Sequence, residues 1–206
     1  MLRLNRRLLA GAVAGSALLL AGCAVPGQPA QAGTAAEVDG TVLTNEHVSA
    51  LYDVWLEEIG NPANRRQVIT MEMMREPLAA HAEEIEFQHT RAQARAQAEG
   101  FLSLQGVSEE PSEDLVDAFE AALLLAAFTV LPEDTSVIQS VAEEVEATAV
   151  TNSRTGDFSA EAFMQSLTVT SEKAVAAANQ GVPAWFLEFN DVVGLVEPES
   201  PWIASE

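Results

Sequence analysis

The chain has 206 residues, with 10 basic and 31 acidic side chains that give a formal net charge of −21. So large an excess of carboxylates repels nucleic-acid phosphates and anionic lipid head groups, which argues against nucleic-acid binding. The single cysteine, Cys23, rules out an intramolecular disulfide, so the fold must depend on its apolar core.

The N-terminal segment has the features of a bacterial export signal. Three arginines within the first seven residues precede an apolar run at 8–20. That run suits a signal peptide and is shorter than the roughly 20 residues that a transmembrane helix needs. It ends in Leu-Ala-Gly-Cys at 20–23, the pattern of a lipobox. We therefore predict a lipoprotein signal peptide at 1–22, cleaved between Gly22 and Cys23.

Cys23 is the predicted lipidation site, which would anchor the protein on the extracytoplasmic face of the cell membrane. The alternative is an ordinary secretory signal with an incidental cysteine, but the only cysteine falls at the required position. The residues around Arg6 and Arg7 fit a twin-arginine signal poorly, so the general secretory route is favoured. Residues 23–36 are rich in Ala, Gly, Pro and Gln and predict a flexible tether. Residues 37–206 are predicted to form one helical domain.

The domain is predicted to open with a strand and a helix. Residues 37–43 favour a short strand with a turn at Asp39-Gly40. Thr44 is a good N-cap for a helix from Asn45 to about Ile59. The sequence Gly-Asn-Pro at 60–62 ends that helix and opens the next one.

The middle of the chain has the periodicity of helices. We predict helices at 63–75, 78–88 and 90–104, with Pro77 separating the first two. The segment 115–131 is apolar on nearly all sides and is predicted to be the most buried helix. A membrane span is the alternative for this segment, but its length and the acidic residues at its start argue against it.

The C-terminal part is predicted to contain helices at 133–150, 159–167 and 171–179, followed by a strand at 190–196. This strand and the one at 37–43 have no other candidate partner, so we expect them to pair. The predicted fold class is mainly α: a multi-helix domain with a small two-stranded pairing of its N- and C-terminal segments.

Motifs that carry chemistry are missing from the sequence. It has no glycine-rich phosphate loop, nucleophile elbow, metalloprotease His-Glu motif or Cys-x-x-Cys pair. Glu86 and His89 have metal-binding spacing, but a di-iron site needs a second such motif, so we interpret them as part of a solvated polar face. Met71, Met73 and Met74 could offer soft ligands to copper, yet their apolar neighbours favour core packing. We predict no enzyme activity, cofactor or metal.

Two short motifs stand out in the sequence: the segment 38–44 followed by Glu46, and the run 66–69 followed by Met73. They resemble motifs in the N-terminal domain of SurA- and PrsA-type periplasmic chaperones, and especially in the short SurA-like lipoproteins of actinobacteria. The segment 196–202 keeps only the proline and the tryptophan of the family's C-terminal pattern. The resemblance implies a helical domain, closed by terminal strands, that binds unfolded or partly folded exported proteins. The chain is too short to add a parvulin domain, so no prolyl-isomerase activity is implied.

Two functions are compatible with these features, neither involving a small-molecule substrate. The first is a membrane-tethered holdase, in which Trp185, Phe186 and Phe189 bind exported clients; the same aromatic cluster could instead seal the core. The second is a structural or adaptor lipoprotein that binds one specific cell-envelope partner. A deep apolar cleft between the helices would favour the holdase, and a closed bundle with an acidic surface would favour the adaptor.

Overall fold

The structure is a computed structural model that describes residues 32–132, 134–152 and 154–196. These residues form a helical bundle with a small antiparallel sheet, so the predicted mainly-α class is confirmed. The strands are β1 (Thr34–Val38), β2 (Thr41–Thr44) and β3 (Val150–Thr151). The helices are α1 (Asn45–Asp53), α2 (Arg65–Ala80), α3 (Arg91–Leu104), α4 (Glu113–Val130), α5 (Ser136–Thr148) and α6 (Ala160–Asn179). Shorter turns follow α1 (π-helical, Val54–Glu58), α2 (3-10, Ala82–Ile85) and α6 (3-10, Trp185–Asp191).

A tight hairpin joins β1 and β2. Its two turn residues, Asp39 and Gly40, have φ angles of 50° and 82°. Positive φ at both positions matches the twist of the flanking strands, and the Asp-Gly pair tolerates it well. The predicted turn is therefore confirmed, with a strand on each side of it. Because β1 begins at Thr34, the last residues of the predicted tether 23–36 belong to the sheet.

Side-chain caps fix where five of the helices begin. In each, the oxygen of the residue before the helix accepts a hydrogen bond from a backbone N–H that has no partner within the helix. The caps are Thr44 for α1, Asn64 for α2, Thr90 for α3, Ser112 for α4 and Ser159 for α6. The caps at Thr44 and Thr90 also fix the first turns of α1 and α3, which carry His47 and Arg91.

Pro77 lies inside α2, which runs without a break from Arg65 to Ala80. The predicted break at Pro77 and the separate helix at 78–88 are therefore wrong. A proline so near the helix end removes only one backbone hydrogen bond. The following residue, Leu78, is fully buried and holds the last turn against the core. The chain then makes a 3-10 turn that ends at Glu86, whose φ is 56°.

The segment predicted as two helices, 159–167 and 171–179, is the single helix α6. The hydroxyls of Thr168 and Ser171 donate to the backbone carbonyls of Met164 and Thr168. Such local bonds satisfy Ser and Thr within a helix, so these residues do not interrupt it.

Helix α4 is buried along most of its length, as predicted. The ring of Phe119 lies 5.4 Å from that of Phe101 in α3 and 5.6 Å from that of Phe186. Two acidic residues of α4, Asp117 and Glu120, are also buried. In the described part of the chain, no helix combines the length and apolar character needed to cross a membrane.

The predicted pairing of the two terminal segments is wrong. The strand order is β2-β1-β3, so both edges of β1 are already occupied. The partner on the second edge is β3, with Ala36 opposite Thr151. The predicted strand 190–196 is not a regular strand. Its first two residues end the 3-10 turn Trp185–Asp191, and Leu195 forms an isolated antiparallel bridge with Phe158.

Candidate functional site

Charged side chains from several elements meet in what we call the ion cluster. Its members are His47 (α1), Glu72 and Arg75 (α2), His89 (just before α3), Arg91 and Arg95 (α3), and Glu113, Asp114, Asp117 and Glu120 (α4). Two of these carboxylates, those of Asp117 and Glu120, belong to buried positions of α4. A carboxylate withdrawn from water needs compensating partners, which the arginines and histidines supply.

Arg75 joins α2 to α4. Its Nε donates to Glu72 Oε2 at 3.1 Å, its Nη1 donates to Glu120 Oε2 at 2.8 Å, and Asp117 Oδ1 lies 3.9 Å away. Burial acts to lower the pKa of Arg75, but the three carboxylates outweigh it and the pKa is raised. The guanidinium therefore stays charged and acts as a shared counter-ion.

Arg91 joins α3 to the same face of α4. Its Nη1 donates to Asp117 Oδ1 and, at 3.1 Å, to Glu120 Oε2, and its Nη2 donates to Glu113 Oε2 at 2.8 Å. The bond with Glu113 raises the pKa of Arg91 and lowers the pKa of Glu113. Arg95 donates a second bond to Glu113.

Two of the three histidines of the protein belong to the ion cluster. The Nε2 atom of His47 lies 3.4 Å from Glu72 Oε2, and its Nδ1 atom lies 3.5 Å from Asp114 Oδ1. The Nε2 atom of His89 lies 2.8 Å from Glu120 Oε1. With neutral histidines, the five carboxylates outnumber the three guanidiniums by two, and two imidazolium ions would balance the charge. The net charge of the ion cluster thus depends on its histidines.

The structure corrects the interpretation of Glu86 and His89 as part of one solvated polar face. No helix carries both residues, because Glu86 ends a 3-10 turn in a left-handed conformation. Its side chain is exposed, whereas that of His89 is only 12% exposed and contacts Glu120. The methionines behave as the favoured interpretation expects: Met71, Met73 and Met74 are all buried in the core.

Ligand atoms of His47, Asp114 and Asp117 lie within 4.8 Å of one another, the spacing of a metal site. However, Arg91 already donates a hydrogen bond to Asp117, and Arg75 lies 3.9 Å from the same oxygen. Both guanidiniums would repel a divalent cation at this point. We therefore interpret the three residues as part of the ion-pair network.

A cleft of about 420 Å³ opens beside the ion cluster, between the β-hairpin and the C-terminal half of α2. Its lining is mostly apolar and includes Val38, Val42, Leu43, Met73, Pro77 and Ala80. Three members of the ion cluster, His47, Glu72 and Arg75, also line it. The exposed carboxylates of Asp39 and Glu76 add negative charge. The volume suits a small molecule or one or two anchoring side chains of a partner.

The predicted client-binding aromatics are mostly core residues. Phe189 is fully buried and Phe186 is 6% exposed, while Trp185 is partly buried and packs edge-on against Phe186. The 3-10 turn that carries them lies against α4 and α6. Phe186 and Phe189 therefore seal the core, which is one of the two roles considered for these aromatic residues. Of the three, only Trp185 is more than slightly exposed. The predicted cleavage and lipidation residues, Gly22 and Cys23, lie outside the described residues.

Most of the ion cluster escapes a reading of the sequence, although one signal was present. Glu113, Asp117 and Glu120 follow the spacing i, i+4 and i+7 on a helix that is otherwise strongly apolar. That spacing puts the three carboxylates on one helix face. Asp117 and Glu120 are buried there and therefore need cations as partners, whereas Glu113 at the start of the helix is exposed. The sequence does not show which arginines form ion pairs with these carboxylates.

No protein-family model, curated protein or solved structure matches this chain. The resemblance to the SurA and PrsA N-terminal domain stays a prediction from its short motifs.

Proposed function

We propose that this protein is an extracytoplasmic adaptor lipoprotein that binds one specific cell-envelope partner through a fixed surface. The supporting observation is that the bundle is closed. Apolar side chains from the sheet and from all six helices contribute to one continuous core. In the described residues, every fully buried side-chain nitrogen and oxygen has a hydrogen-bond partner. Such a core leaves little reason for the helices to separate around a client.

The exposed apolar residues also favour an adaptor over a holdase. In the described residues, those of large size are spread along the chain, and only Val130 and Leu131 are adjacent: Val42, Leu56, Leu104, Val107, Val130, Leu131, Val169, Val175, Val182 and Val196. Single exposed apolar residues are ordinary on protein surfaces. A holdase for extended clients needs a longer apolar groove than the 420 Å³ cleft provides. The cleft is better matched to one or two side chains of a folded partner.

The adaptor would be held at the membrane by lipid on Cys23. Tethering raises the local concentration of a protein near partners at the same surface. Cys23→Ser removes the acceptor thiol, so the variant should leave the membrane fraction and lose the mass of the lipid. A wild-type protein without lipid would contradict the anchor but not the adaptor role of the folded domain.

Crosslinking in the native cell envelope tests the adaptor role directly. Ala80→Trp should fill the cleft, because Ala80 is an exposed residue of its lining. Ala147→Trp places the same ring at an exposed position of α5 and is the matched control. We expect one partner to be captured by the wild-type protein and by Ala147→Trp, but not by Ala80→Trp.

The competing holdase function predicts a different result. The soluble form beginning at Ala24 would then suppress the aggregation of several unrelated unfolded proteins at near-stoichiometric ratios. Such protection, unchanged by Ala80→Trp, would overturn the adaptor proposal.

A further inference from the structure

His47 has a carboxylate oxygen at each of its two ring nitrogens. Glu72 Oε2 lies 3.4 Å from Nε2, and Asp114 Oδ1 lies 3.5 Å from Nδ1. A neutral imidazole carries one N–H and one lone pair, so it can donate to only one of these two acceptors. The lone pair on the other nitrogen then faces a negative oxygen. Only the imidazolium ion can donate to both.

The charged residues around His47 also favour the imidazolium ion. From α2 it faces Glu72, only 5% exposed, and Arg75, which donates to the same Glu72 oxygen. From α4 it faces Asp114 and Asp117. The hairpin contributes Asp39 to the cleft that His47 also lines. Arg91 of α3 also donates to Asp117, so four carboxylates in this group face two guanidiniums. The carboxylates remain in excess, which favours a single positive charge on His47.

We propose that His47 is a pH-operated clasp, which as the imidazolium ion bridges α1 to both α2 and α4 and as the neutral ring releases one of these two links. Because His47 lines the cleft, release frees part of the cleft wall to move. The clasp follows from contacts within the bundle and does not depend on the identity of any partner.

The direction of the effect follows from the pKa of His47. The hydrogen bond with Glu72 raises this pKa above 6.5, burial opposes the rise, and the charges of Glu72, Asp117 and Asp114 add to it. A histidine with a raised folded-state pKa stabilises the fold fully below its unfolded pKa and loses that contribution as pH rises through the folded value. The clasp is therefore closed under mildly acidic conditions and opens toward alkaline pH.

His81 offers a matched comparison in solvent. Its Nδ1 atom lies 2.6 Å from Glu84 Oε1 and its Nε2 atom lies 3.5 Å from Glu144 Oε2, so it too has a carboxylate at each nitrogen. Both of those glutamates are more than half exposed, so water screens the interaction. The two sites differ in the burial of Glu72, in the hydrogen bond that Glu72 also accepts from Arg75, and in the longer distance from His47 to its nearest carboxylate.

The experiment compares the soluble protein beginning at Ala24 with its His47→Gln and His81→Gln variants between about pH 6 and pH 8. Denaturant unfolding should show the equilibrium constant for unfolding of the wild type rising with pH, by about tenfold for each unit of pKa elevation. His47→Gln should remove most of that rise, and His81→Gln should retain it. Amide hydrogen exchange in α1, corrected for the intrinsic effect of pH, should accelerate in the wild type over the same range.

NMR titration of the His47 ring in the wild-type protein keeps the test decisive if His47→Gln does not fold. The clasp requires a midpoint above 6.5, the ordinary value for histidine. A midpoint at or below that value would overturn the clasp. So would an unchanged pH dependence in a folded His47→Gln variant, or equal protection of α1 at both ends of the range.

Discussion

Arg75 of α2 and Glu120 of α4 lie 45 residues apart in sequence, yet Nη1 of the arginine donates to Oε2 of the glutamate at 2.8 Å. The side chain of Glu120 is only 7% exposed, and that of Arg75 is 19% exposed. Arg91 approaches the same glutamate oxygen from α3. The pairing therefore joins three helices around a carboxylate that has little access to water.

Replacing Arg75 with methionine should destabilise the fold by about 3 kcal/mol, the lower end for breaking a buried ion pair, because Arg91 remains. The methionine keeps the apolar stem but leaves Glu72 and Glu120 short of a counter-ion. Denaturant unfolding followed by circular dichroism measures the loss.

Arg154→Met is the control for the removal of a positive charge from this acidic protein. Arg154 is exposed and lies outside the ion cluster, so its replacement should change stability by less than about 0.5 kcal/mol. Equal losses in the two variants would mean that overall charge, rather than the Arg75 contacts, sets the effect.

Replacing Gly194 or Gly100 with alanine should change the stability of the fold in opposite directions. A Cβ atom added at Gly194 would lie 2.6 Å from the ring of Phe158, and Gly194 N–H donates to the buried Thr70 hydroxyl, which limits any shift. We expect Gly194→Ala to cost about 1–3 kcal/mol through overpacking. Gly100 lies within α3 and has open space around its Cα, so Gly100→Ala should stabilise the fold by about 0.5–1 kcal/mol. Parallel thermal and denaturant unfolding of both variants would reveal whether their signs differ as expected.

Alanine substitutions in the aromatic cluster should distinguish a core residue from a partly exposed one by the loss of stability. Phe189→Ala should cost about 3–5 kcal/mol, because the ring is fully buried. Trp185→Ala should cost less, since this ring is only partly buried. A Phe189→Ala protein with wild-type stability that had lost binding of unfolded proteins would restore the client-binding hypothesis.

Local signals account for the parts of the fold that could be predicted. The caps at Thr44 and Ser159 and the turn at Asp39-Gly40 each depend on a few adjacent residues, so their sequences are sufficient. The predicted pairing of the terminal segments was wrong because β3 occupies the edge of β1. β3 is only two residues long, too short to show a recognisable strand pattern in the sequence. Pro77 failed as a helix break because burial of Leu78 outweighed the one lost hydrogen bond.

The ion cluster, too, can be predicted from the sequence only in part. The acidic stripe of α4 can be read from its spacing, but its partners come from distant positions. Arg75 lies 45 residues from Glu120, and His89 lies 31 residues from it. Which cation meets which carboxylate depends on how α2 and α3 pack on α4, and no local pattern in those helices carries that information.

The stability of the protein should pass through a maximum between the two titrations that the ion cluster sets. Bonds from Arg91 and Arg95 lower the pKa of Glu113 from its ordinary 4.5, so the contribution of Glu113 is present above that value and is lost as pH falls through the folded pKa. His47 has a raised pKa, so its contribution is present below 6.5 and is lost as pH rises through its folded pKa. We therefore expect the denaturant midpoint to be highest between about pH 5 and pH 6 and to fall on both sides. Added salt should flatten the acid limb more than the alkaline limb, because Glu113 is exposed whereas Glu72, the main partner of His47, is buried. A midpoint that rises steadily from pH 5 to pH 8 would contradict the assigned role of His47.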